Sequence, residues 1–391
     1  MPPDEKLKPK APLLLVAGAK GAVGSTLAVA VAALKNGADH VSAGLTTREK
    51  FSFLGRLQDI DLAGWDPQEK SLPAVVQLNG ILPENIWRPH LTALGSIPIL
   101  LPPPTNLDLE TRVDRLAQDM RSFGRRFPTR LPVLISLLPA CRRFDLTLCK
   151  DLAQLYSENQ TAAFPDIAYL LAALKSGIPV VNFTPNEIEI PVLLEEAEKQ
   201  KVPLCGRDGK TGQTYLKTVL ASALKARAFL IDGWYSLNIL GNADGENLMD
   251  PGKAEGKTAN KTELLDEILG YAVGNAYGVP THKVRIDYYP PRGDAKEAWD
   301  VIDFKGLFGL PMSMRLNLMG RDSILAAPLA IDLARWMAAL KFAGYSGPVP
   351  ELGFYFKKPV GPNPPLTFQD QVSALEKLEK TCDRKISAPA E

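Results

Sequence analysis

Histidine and cysteine are scarce in this sequence of 391 residues, which contains three histidines and four cysteines. No two cysteines have the Cys-x-x-Cys spacing of a zinc site or a redox motif, so we expect reduced thiols. His40, His90 and His282 form no metal-binding pattern. If this protein transfers protons, lysines and carboxylates must therefore carry out much of that chemistry.

A large net charge and a long apolar run are also missing. The formal net charge is +1, so no overall electrostatic field favours nucleic acid or a membrane surface. No apolar run reaches the roughly 20 residues that span a bilayer, and the N-terminal run at 11–16 is too short for a signal peptide. We therefore expect a cytoplasmic protein that has neither nucleic-acid nor membrane partners.

A glycine-rich loop follows the first predicted strand. Residues 13–17 are predicted to form a strand, 25–34 a helix and 40–45 a second strand, which is the βαβ order of a parallel sheet. The loop Gly18-Ala19-Lys20-Gly21-Ala22-Val23-Gly24 joins the first strand to the helix. Such a loop offers the N–H groups of a helix N-terminus to a pyrophosphate, which predicts NAD binding. A simple tight turn is the alternative interpretation.

The acidic residue that usually binds the adenosine ribose is missing after the predicted second strand. Thr46-Thr47-Arg48 stands there instead, and Arg48 leaves NADP open as the cofactor. Asp66, in Gly64-Trp65-Asp66, is the candidate that could replace the missing acid.

The alternation of predicted helices and strands divides the chain in two. It continues to about residue 204 and indicates a Rossmann-type, doubly wound parallel sheet. Later β patterns over 228–239 and 283–289 predict a second, mixed sheet. We therefore expect an NAD-binding domain of residues 11–204, joined again by 321–391. An α+β catalytic and oligomerisation domain would consist of residues 205–320.

Two polar segments precede helices in the second predicted domain. The segment 206–214 contains Gly209-Lys210-Thr211, but a Walker A motif needs glycine at position 204, where leucine stands. A phosphate site at the N-terminus of a helix over 215–226 fits better, with a polar turn as the alternative. Lys257 and Lys261 surround another predicted helix start, where cations oppose the helix dipole by roughly 0.3–1 kcal/mol. They are either solvated surface lysines or part of an anion site.

Two more lysines stand in unusual settings. Lys296 follows Gly293-Asp294-Ala295, and Lys357 ends the predicted apolar strand Phe354-Tyr355-Phe356. A lysine that aromatic neighbours remove from water has a lowered pKa, as catalytic lysines need. Asp322 precedes a predicted helix over 323–340, where it is either a helix cap or a carboxylate beside a lysine.

The order and spacing of these motifs resemble the myo-inositol-1-phosphate synthase family, especially its shorter archaeal-type members. The resemblance covers almost the whole chain and is strongest over residues 180–330 and 353–359. It rests, in chain order, on Gly-x-x-Gly-x-x-Gly at 18–24, Asn182-Phe183-Thr184-Pro185, Asp208-Gly209-Lys210-Thr211-Gly212, Leu240-Gly241-x-x-Asp244-Gly245, Lys257 with Lys261, Gly293-Asp294-x-Lys296, Asp322-Ser323 and Lys357. The segments 136–139 and 186–189 depart from the family pattern, and both are expected to lie near the cofactor.

The resemblance implies an enzyme of the inositol-3-phosphate synthase type that assembles as a homotetramer. Its substrate would be D-glucose 6-phosphate and its product 1D-myo-inositol 3-phosphate. The implied steps are oxidation, enolisation, intramolecular aldol closure and re-reduction, with NAD held tightly and recycled. A divalent or monovalent cation stays open as a further cofactor, although no cluster of metal ligands is seen in the sequence. The alternatives are an NAD(P)-dependent sugar-phosphate dehydrogenase and a relative that cyclises a different sugar phosphate.

Site residues follow from the same resemblance, together with the loop and Asp66 identified above. The expected catalytic residues are four lysines and two aspartates that orient the lysines or the cofactor: Lys257, Lys261, Lys296, Lys357, Asp208 and Asp322. The expected cofactor-binding residues are Gly18, Ala19, Lys20, Gly21, Ala22, Val23, Gly24, Asp66, Thr184, Gly241, Asp244, Asp294 and Ser323. The residues expected to hold the substrate phosphate are Thr211, Gly212, Gln213 and Lys217.

Overall fold

The computed structural model describes residues 11–141, 149–157, 165–249 and 264–387, whose strands form two separate sheets. The strands are β1 (Pro12–Ala17), β2 (Asp61–Trp65), β3 (Ile99–Leu100), β4 (Leu131–Ser136), β5 (Val180–Asn182), β6 (Pro203–Gly206), β7 (Leu230–Leu240), β8 (His282–Tyr288), β9 (Ala295–Lys305), β10 (Pro311–Arg321) and β11 (Gly347–Pro348). The α-helices are α1 (Ala22–Lys35), α2 (Asp39–Ser42), α3 (Leu72–Asn79), α4 (Glu84–Trp87), α5 (Leu91–Ser96), α6 (Leu109–Arg126), α7 (Leu152–Ser157), α8 (Pro165–Lys175), α9 (Pro191–Lys199), α10 (Gln213–Ala226), α11 (Ala243–Asn247), α12 (Asp322–Phe342) and α13 (Phe368–Ser387).

The larger sheet has seven parallel strands in the order β11-β6-β5-β4-β1-β2-β3. Every residue of β1 is buried, because helices cover both faces of the sheet. The strand order reverses between β1 and β4, and ligands of such sheets bind outside the carboxyl ends of the strands at this point. The predicted Rossmann-type fold is confirmed.

The predicted second strand at 40–45 is wrong. Asp39–Ser42 forms the short helix α2, and the strand that pairs with β1 is β2, about twenty residues later. All five residues of β2 are buried. Within β2, a Cβ atom on Gly64 would lie 2.1 Å from the Val16 carbonyl oxygen, so only glycine allows this close pairing.

Helix α12 lies in the core against α1 and the central strands. By length and mean hydropathy it could cross a membrane, but 78% of its most apolar window is buried inside the protein. Two of its charged residues, Asp332 and Arg335, are buried too. Asp332 accepts hydrogen bonds from the backbone N–H groups of Thr46 and Thr47, and the Arg335 guanidinium contacts the Lys50 carbonyl oxygen. These features are those of a core helix.

The smaller sheet has the order β10-β9-β7-β8 and is mixed, as predicted. Its antiparallel pairs are β10 with β9 and β7 with β9, whereas β7 and β8 are parallel. Helix α10 and the helical residues 264–269 pack on its inner face around Trp234 and Ile302. The chain then returns through α12 to β11 in the larger sheet. The domain boundary at 205–320 stays a prediction.

Candidate active site

A cleft of about 490 Å³ opens at the point where the strand order of the larger sheet reverses. Its walls come from the loops after β1, β4, β5 and β6, together with the start of α12 and Lys357. The lining residues include Gly18, Gly21, Ala22, Val23, Gly24, Thr184, Asp208, Thr211, Asp322, Ser323 and Lys357, all of which the sequence singled out. The fold therefore gathers these residues at one place.

The glycine loop has the geometry of a pyrophosphate site. Gly21 is the N-cap of α1 and no side chain caps the helix, so the first backbone N–H groups point into the loop without an intrahelical acceptor. Gly18 has a φ of +87°, and a Cβ atom on Gly24 would lie 2.4 Å from the Gly18 carbonyl oxygen. These positions admit only glycine, and the cradle that they leave fits a dinucleotide.

Asp66 directly follows β2 and is 7% exposed. Its carboxylate accepts hydrogen bonds from the backbone N–H groups of Lys20, at 2.8 Å, and Gln68, at 2.9 Å. The end of β2 is where an acidic residue usually holds the adenosine ribose. An acidic residue therefore does follow the second strand of the sheet, which is β2 and not the segment at 40–45.

Lys357 and Asp208 form one lysine–carboxylate pair. The Lys357 ammonium donates to Asp208 Oδ1 at 2.6 Å, and both side chains are largely buried. The predicted strand at 354–356 is wrong, because Pro350–Phe354 forms a short 3-10 helix and only Phe356 makes a single bridge, with Gly209. A backbone hydrogen bond from the Lys357 N–H to the Asp208 carbonyl oxygen, at 2.8 Å, nevertheless fixes the pair in place.

Lys296 and Asp322 form the second pair. Lys296, near the start of β9, donates to Asp322 Oδ2 at 3.1 Å. The other oxygen, Asp322 Oδ1, accepts a hydrogen bond from the Thr211 hydroxyl at 3.2 Å. Thr211 lies three residues after Asp208 in the same loop, so one short segment connects the two pairs.

Asp294 lies beside Ser323 and Asn242. Its Oδ1 accepts hydrogen bonds from the Ser323 hydroxyl, at 3.1 Å, and the Asn242 amide, at 3.3 Å. Burial raises the pKa of Asp294 above its usual range, although both hydrogen bonds act in the opposite direction. Its Oδ2 is buried and has no hydrogen-bond partner among the described residues. An unsatisfied buried acceptor next to the cleft suits a ligand whose hydroxyl group donates a hydrogen bond.

Gln213 and Lys217 lie away from the cleft, although both were expected to hold the substrate phosphate. Gln213 donates to Asp300 Oδ2 at 2.9 Å, and the Lys217 ammonium lies 2.6 Å from His282 Nε2. Both side chains are buried between α10 and the smaller sheet. Burial lowers the pKa of Lys217 to about 8. In this position the two side chains support the N-terminus of α10 on the side that faces the smaller sheet.

The remaining expected site residues are not among the described residues that line the cleft. Lys257 and Lys261 lie outside the described residues, and so does the side chain of Asp244. A Cβ atom on Gly241 would lie 2.4 Å from the Gly293 nitrogen, which places Gly241 at a close approach of two loops. Ala19 is fully buried, and the Lys20 ammonium contacts the Gln68 carbonyl oxygen.

The sequence gave no role to Asn242, which lines the cleft, although it lies in the polar turn Leu240–Gly245. That turn was the available signal. In the described part of the chain, no group of three or more histidine, cysteine or acidic side chains is arranged to hold a metal ion.

Comparison with known sequences matches the central segment of the chain to a known family. Residues 212–323 match the family model described as Myo-inositol-1-phosphate synthase. The chain is 38% identical to an inositol-3-phosphate synthase 1 from Bacteroides thetaiotaomicron over 257 residues, which cover 63% of this chain and 59% of that protein. It is 29% identical to inositol-3-phosphate synthase 1 from Bos taurus, over 78% of this chain and 60% of that protein. The chain thus spans about three fifths of the length of these curated relatives.

Solved structures share the fold over nearly the whole chain. An inositol-3-phosphate synthase from Caenorhabditis elegans matches with a TM-score of 0.81 at 20% identity, covering 98% of this chain and 90% of that one. A myo-inositol-1-phosphate synthase-related protein from Thermotoga maritima matches with a TM-score of 0.75 at 22% identity, covering 95% and 98%. The family model and these relatives confirm the resemblance to the myo-inositol-1-phosphate synthase family that the motifs predicted, and the solved structures show the same fold.

Proposed function

We propose that this protein is an NAD-dependent isomerising cyclase that converts D-glucose 6-phosphate to 1D-myo-inositol 3-phosphate. The observation that carries the proposal is the pair of lysine–carboxylate contacts, Lys357–Asp208 and Lys296–Asp322, at a dinucleotide-type cleft. The relatives named inositol-3-phosphate synthase support the same activity. A dehydrogenation alone rarely needs so many cations in one site.

The residues around the cleft fit NAD. The glycine loop and the N-terminus of α1 would bind the pyrophosphate, and Asp66 would accept a hydrogen bond from the adenosine ribose. Thr184, Asp294 and Ser323 would line the remainder of the cofactor site, and the free Oδ2 of Asp294 offers an acceptor for a ribose hydroxyl. Bound NAD would supply a hydride acceptor and, later in the same turnover, a hydride donor.

The lysines would stabilise negative charge on the substrate. Oxygens of an open-chain sugar phosphate become negatively charged when the carbonyl group enolises and when the ring closes. Fixed ammonium groups in a site that excludes water stabilise such charge strongly. Lys296 and Lys357 would hold these oxygens and move protons, while Asp322 and Asp208 orient the two ammonium groups. We propose the same type of role for Lys257 and Lys261.

The substrate phosphate would bind at the N-terminus of α10. The Gly212 N-cap of this 14-residue helix has no side-chain cap, so its first N–H groups are available to an anion. The Thr211 hydroxyl lies next to them and lines the cleft. Gln213 and Lys217 would act indirectly, because their side chains lie behind the helix start. Whether a divalent or monovalent cation assists stays a prediction.

The test is to incubate the protein with D-glucose 6-phosphate and NAD⁺ and to follow products by phosphorus NMR and absorbance of NADH. We expect inositol phosphate without net accumulation of NADH. Lys296→Met should lower turnover at least about 100-fold, the usual loss when one preorganised donor is removed. NAD affinity should stay within a few-fold of wild type. The exposed Lys283, on β8, gives a matched control, and Lys283→Met should keep full activity.

Three outcomes would contradict the proposal or its parts. Steady NADH release without inositol phosphate would indicate a sugar-phosphate dehydrogenase. Turnover of another sugar phosphate only would indicate a relative with a different substrate. Wild-type activity in Lys296→Met would remove Lys296 from the catalytic residues.

We also propose that the chain assembles as a homotetramer through the smaller sheet. Its outer face exposes Tyr235, Trp299 and Met319, and the β9–β10 turn exposes Phe308 at 88%. Exposed apolar surface of this kind and an open edge strand usually mark an interface. A cytoplasmic location without nucleic-acid or membrane partners stays a prediction.

A further inference from the structure

The loop after β4 forms one wall of the cofactor cleft. This wall segment, residues 137–141, contributes Leu137, Leu138, Pro139 and Ala140 to the lining. A Cβ atom on Gly18 would lie 2.9 Å from the Leu137 carbonyl oxygen, so the wall segment and the glycine loop nearly touch. A displacement of the wall segment would therefore change the space available to a dinucleotide.

Asn186 holds the wall segment through its side-chain amide. Its Oδ1 accepts a hydrogen bond from the Cys141 N–H at 2.9 Å. Its Nδ2 donates to the Pro139 carbonyl oxygen and to Asp166 Oδ2, both at 3.0 Å. The residue is 4% exposed, so water cannot replace these bonds without a change in structure. A weaker contact, from the Asn247 amide to the Ala140 carbonyl oxygen, measures 3.3 Å.

Asp166 fixes the orientation of Asn186. It is the second residue of α8 and is 1% exposed. Its Oδ2 accepts from Asn186 and its Oδ1 accepts from the Ser136 hydroxyl at 3.0 Å. Ser136 is the last residue of β4, so Asp166 connects the end of that strand with the side chain that holds the loop after it.

The backbone of Asn186 is held by the loop after β5. Its N–H donates to the Thr184 hydroxyl at 3.1 Å, and its carbonyl oxygen accepts from the Asn182 amide at 2.8 Å. Thr184 itself lines the cleft. One buried network thus joins two neighbouring walls of the cleft, although neither Asn186 nor Asp166 was assigned a role above.

We infer that Asn186 and Asp166 are positioning residues that hold the wall segment in the shape required for cofactor binding. This inference rests on the proposed binding of NAD in the cleft. Leaving a buried donor or acceptor unpaired costs about 1–3 kcal/mol, and Asn186 satisfies two such groups on the wall segment. Loss of the hydrogen bonds from Asn186 to the wall segment should therefore weaken NAD binding more than it lowers turnover at saturating NAD.

The test uses Asn186→Leu, which keeps the volume but removes every hydrogen bond, and the smaller change Asn186→Ser in case the first variant fails to fold. We expect the Kd for NAD, measured by calorimetry, to rise about 5- to 150-fold, as the cost above implies. Hydrogen exchange in a peptide covering residues 137–141 should become faster in the protein without ligand. Turnover at saturating NAD should change less than threefold.

Two controls separate positioning from general loss of stability. The side-chain oxygen of the conservative variant Asp166→Asn can still accept from Asn186, and its amide can still contact Ser136. This variant should therefore keep near-normal NAD affinity and slow hydrogen exchange at residues 137–141. Ser222→Ala removes a buried hydroxyl that donates to the Thr218 carbonyl oxygen and accepts from the Phe368 N–H, and none of these three residues lines the cleft. It should lower stability without changing exchange at residues 137–141.

The outcomes distinguish this inference from the proposed function. If the folded wild-type protein binds no NAD, the proposed function fails. Hydrogen exchange at residues 137–141 still shows whether Asn186 holds the wall segment. If a folded Asn186 variant keeps wild-type exchange and wild-type NAD affinity, the inference is overturned.

Discussion

Replacing Asp166 by asparagine should stabilise the protein against unfolding at pH 8, with a smaller gain at pH 5. Asp166 is buried, and in the described part of the chain its carboxylate accepts hydrogen bonds from a serine hydroxyl and an asparagine amide, neither of which is a cation. Burial raises its pKa from the usual 3.8 to about 6, and these two hydrogen bonds only partly oppose the effect. At pH 8 the folded protein therefore holds a buried negative charge.

The sign and size follow from the two pKa values. A carboxyl group with a raised pKa in the folded state contributes stability that is fully present below pH 3.8 and is lost as the pH rises through about 6. The full difference between the two pKa values corresponds to roughly 3 kcal/mol of stability. Of this, about 1.4 kcal/mol is lost between pH 5 and pH 8. Asparagine resembles the protonated acid, so Asp166→Asn should avoid this loss.

The assay is equilibrium unfolding in urea, followed by tryptophan fluorescence, at several pH values between 5 and 8. The free-energy difference between variant and wild type should grow by about 1.4 kcal/mol over that range. Asp332→Asn is the contrasting control, because Asp332 accepts from two backbone N–H groups and two hydroxyls, which one amide oxygen cannot satisfy. It should destabilise the protein by about 1–3 kcal/mol. A pH-independent effect of Asp166→Asn would refute the reasoning.

Two further predictions concern the cofactor loop and the assembly. Gly24→Ala places a methyl group 2.4 Å from the Gly18 carbonyl oxygen, so it should weaken NAD binding at least tenfold by calorimetry. Gly95→Ala, where the new atom meets nothing within 4 Å, should bind normally, and equal affinity in the two variants would contradict the loop assignment. Phe308→Asp should reduce the molar mass measured by light scattering, whereas Leu78→Asp, at an exposed position of α3, should not. An unchanged mass in Phe308→Asp would argue against the proposed interface.

The sequence predicted the dinucleotide loop and the larger sheet because their signals are local. A buried apolar strand, a run of glycines and an apolar helix follow one another at 12–35, so residues that are neighbours in the sequence carry the whole pattern. The lysines were found through the family resemblance. In the structure Lys357 contacts Asp208 and Lys296 contacts Asp322, although 149 and 26 residues separate the members of the two pairs.

Other features depend on contacts that the sequence does not display. The residues at 40–45 contain too few buried positions to form a strand, and only pairing with β1 reveals that β2 occupies Asp61–Trp65. Lys217 lies on the same helix as the proposed phosphate site, but its side chain faces His282 and the smaller sheet. Side-chain direction on a helix depends on what packs against it, which spacing alone could not provide.

The chain enters the smaller sheet through the loop after β6 and leaves it at the junction of β10 and α12. The two crossings are distant in sequence but meet at the cleft, because the Thr211 hydroxyl donates to Asp322 Oδ1. Asp208 and Thr211 lie at the first crossing, and Asp322 lies at the second. The chain therefore passes between the two sheets at the groups proposed to perform the chemistry, so any displacement of one sheet relative to the other would alter the hydrogen bond between Thr211 and Asp322.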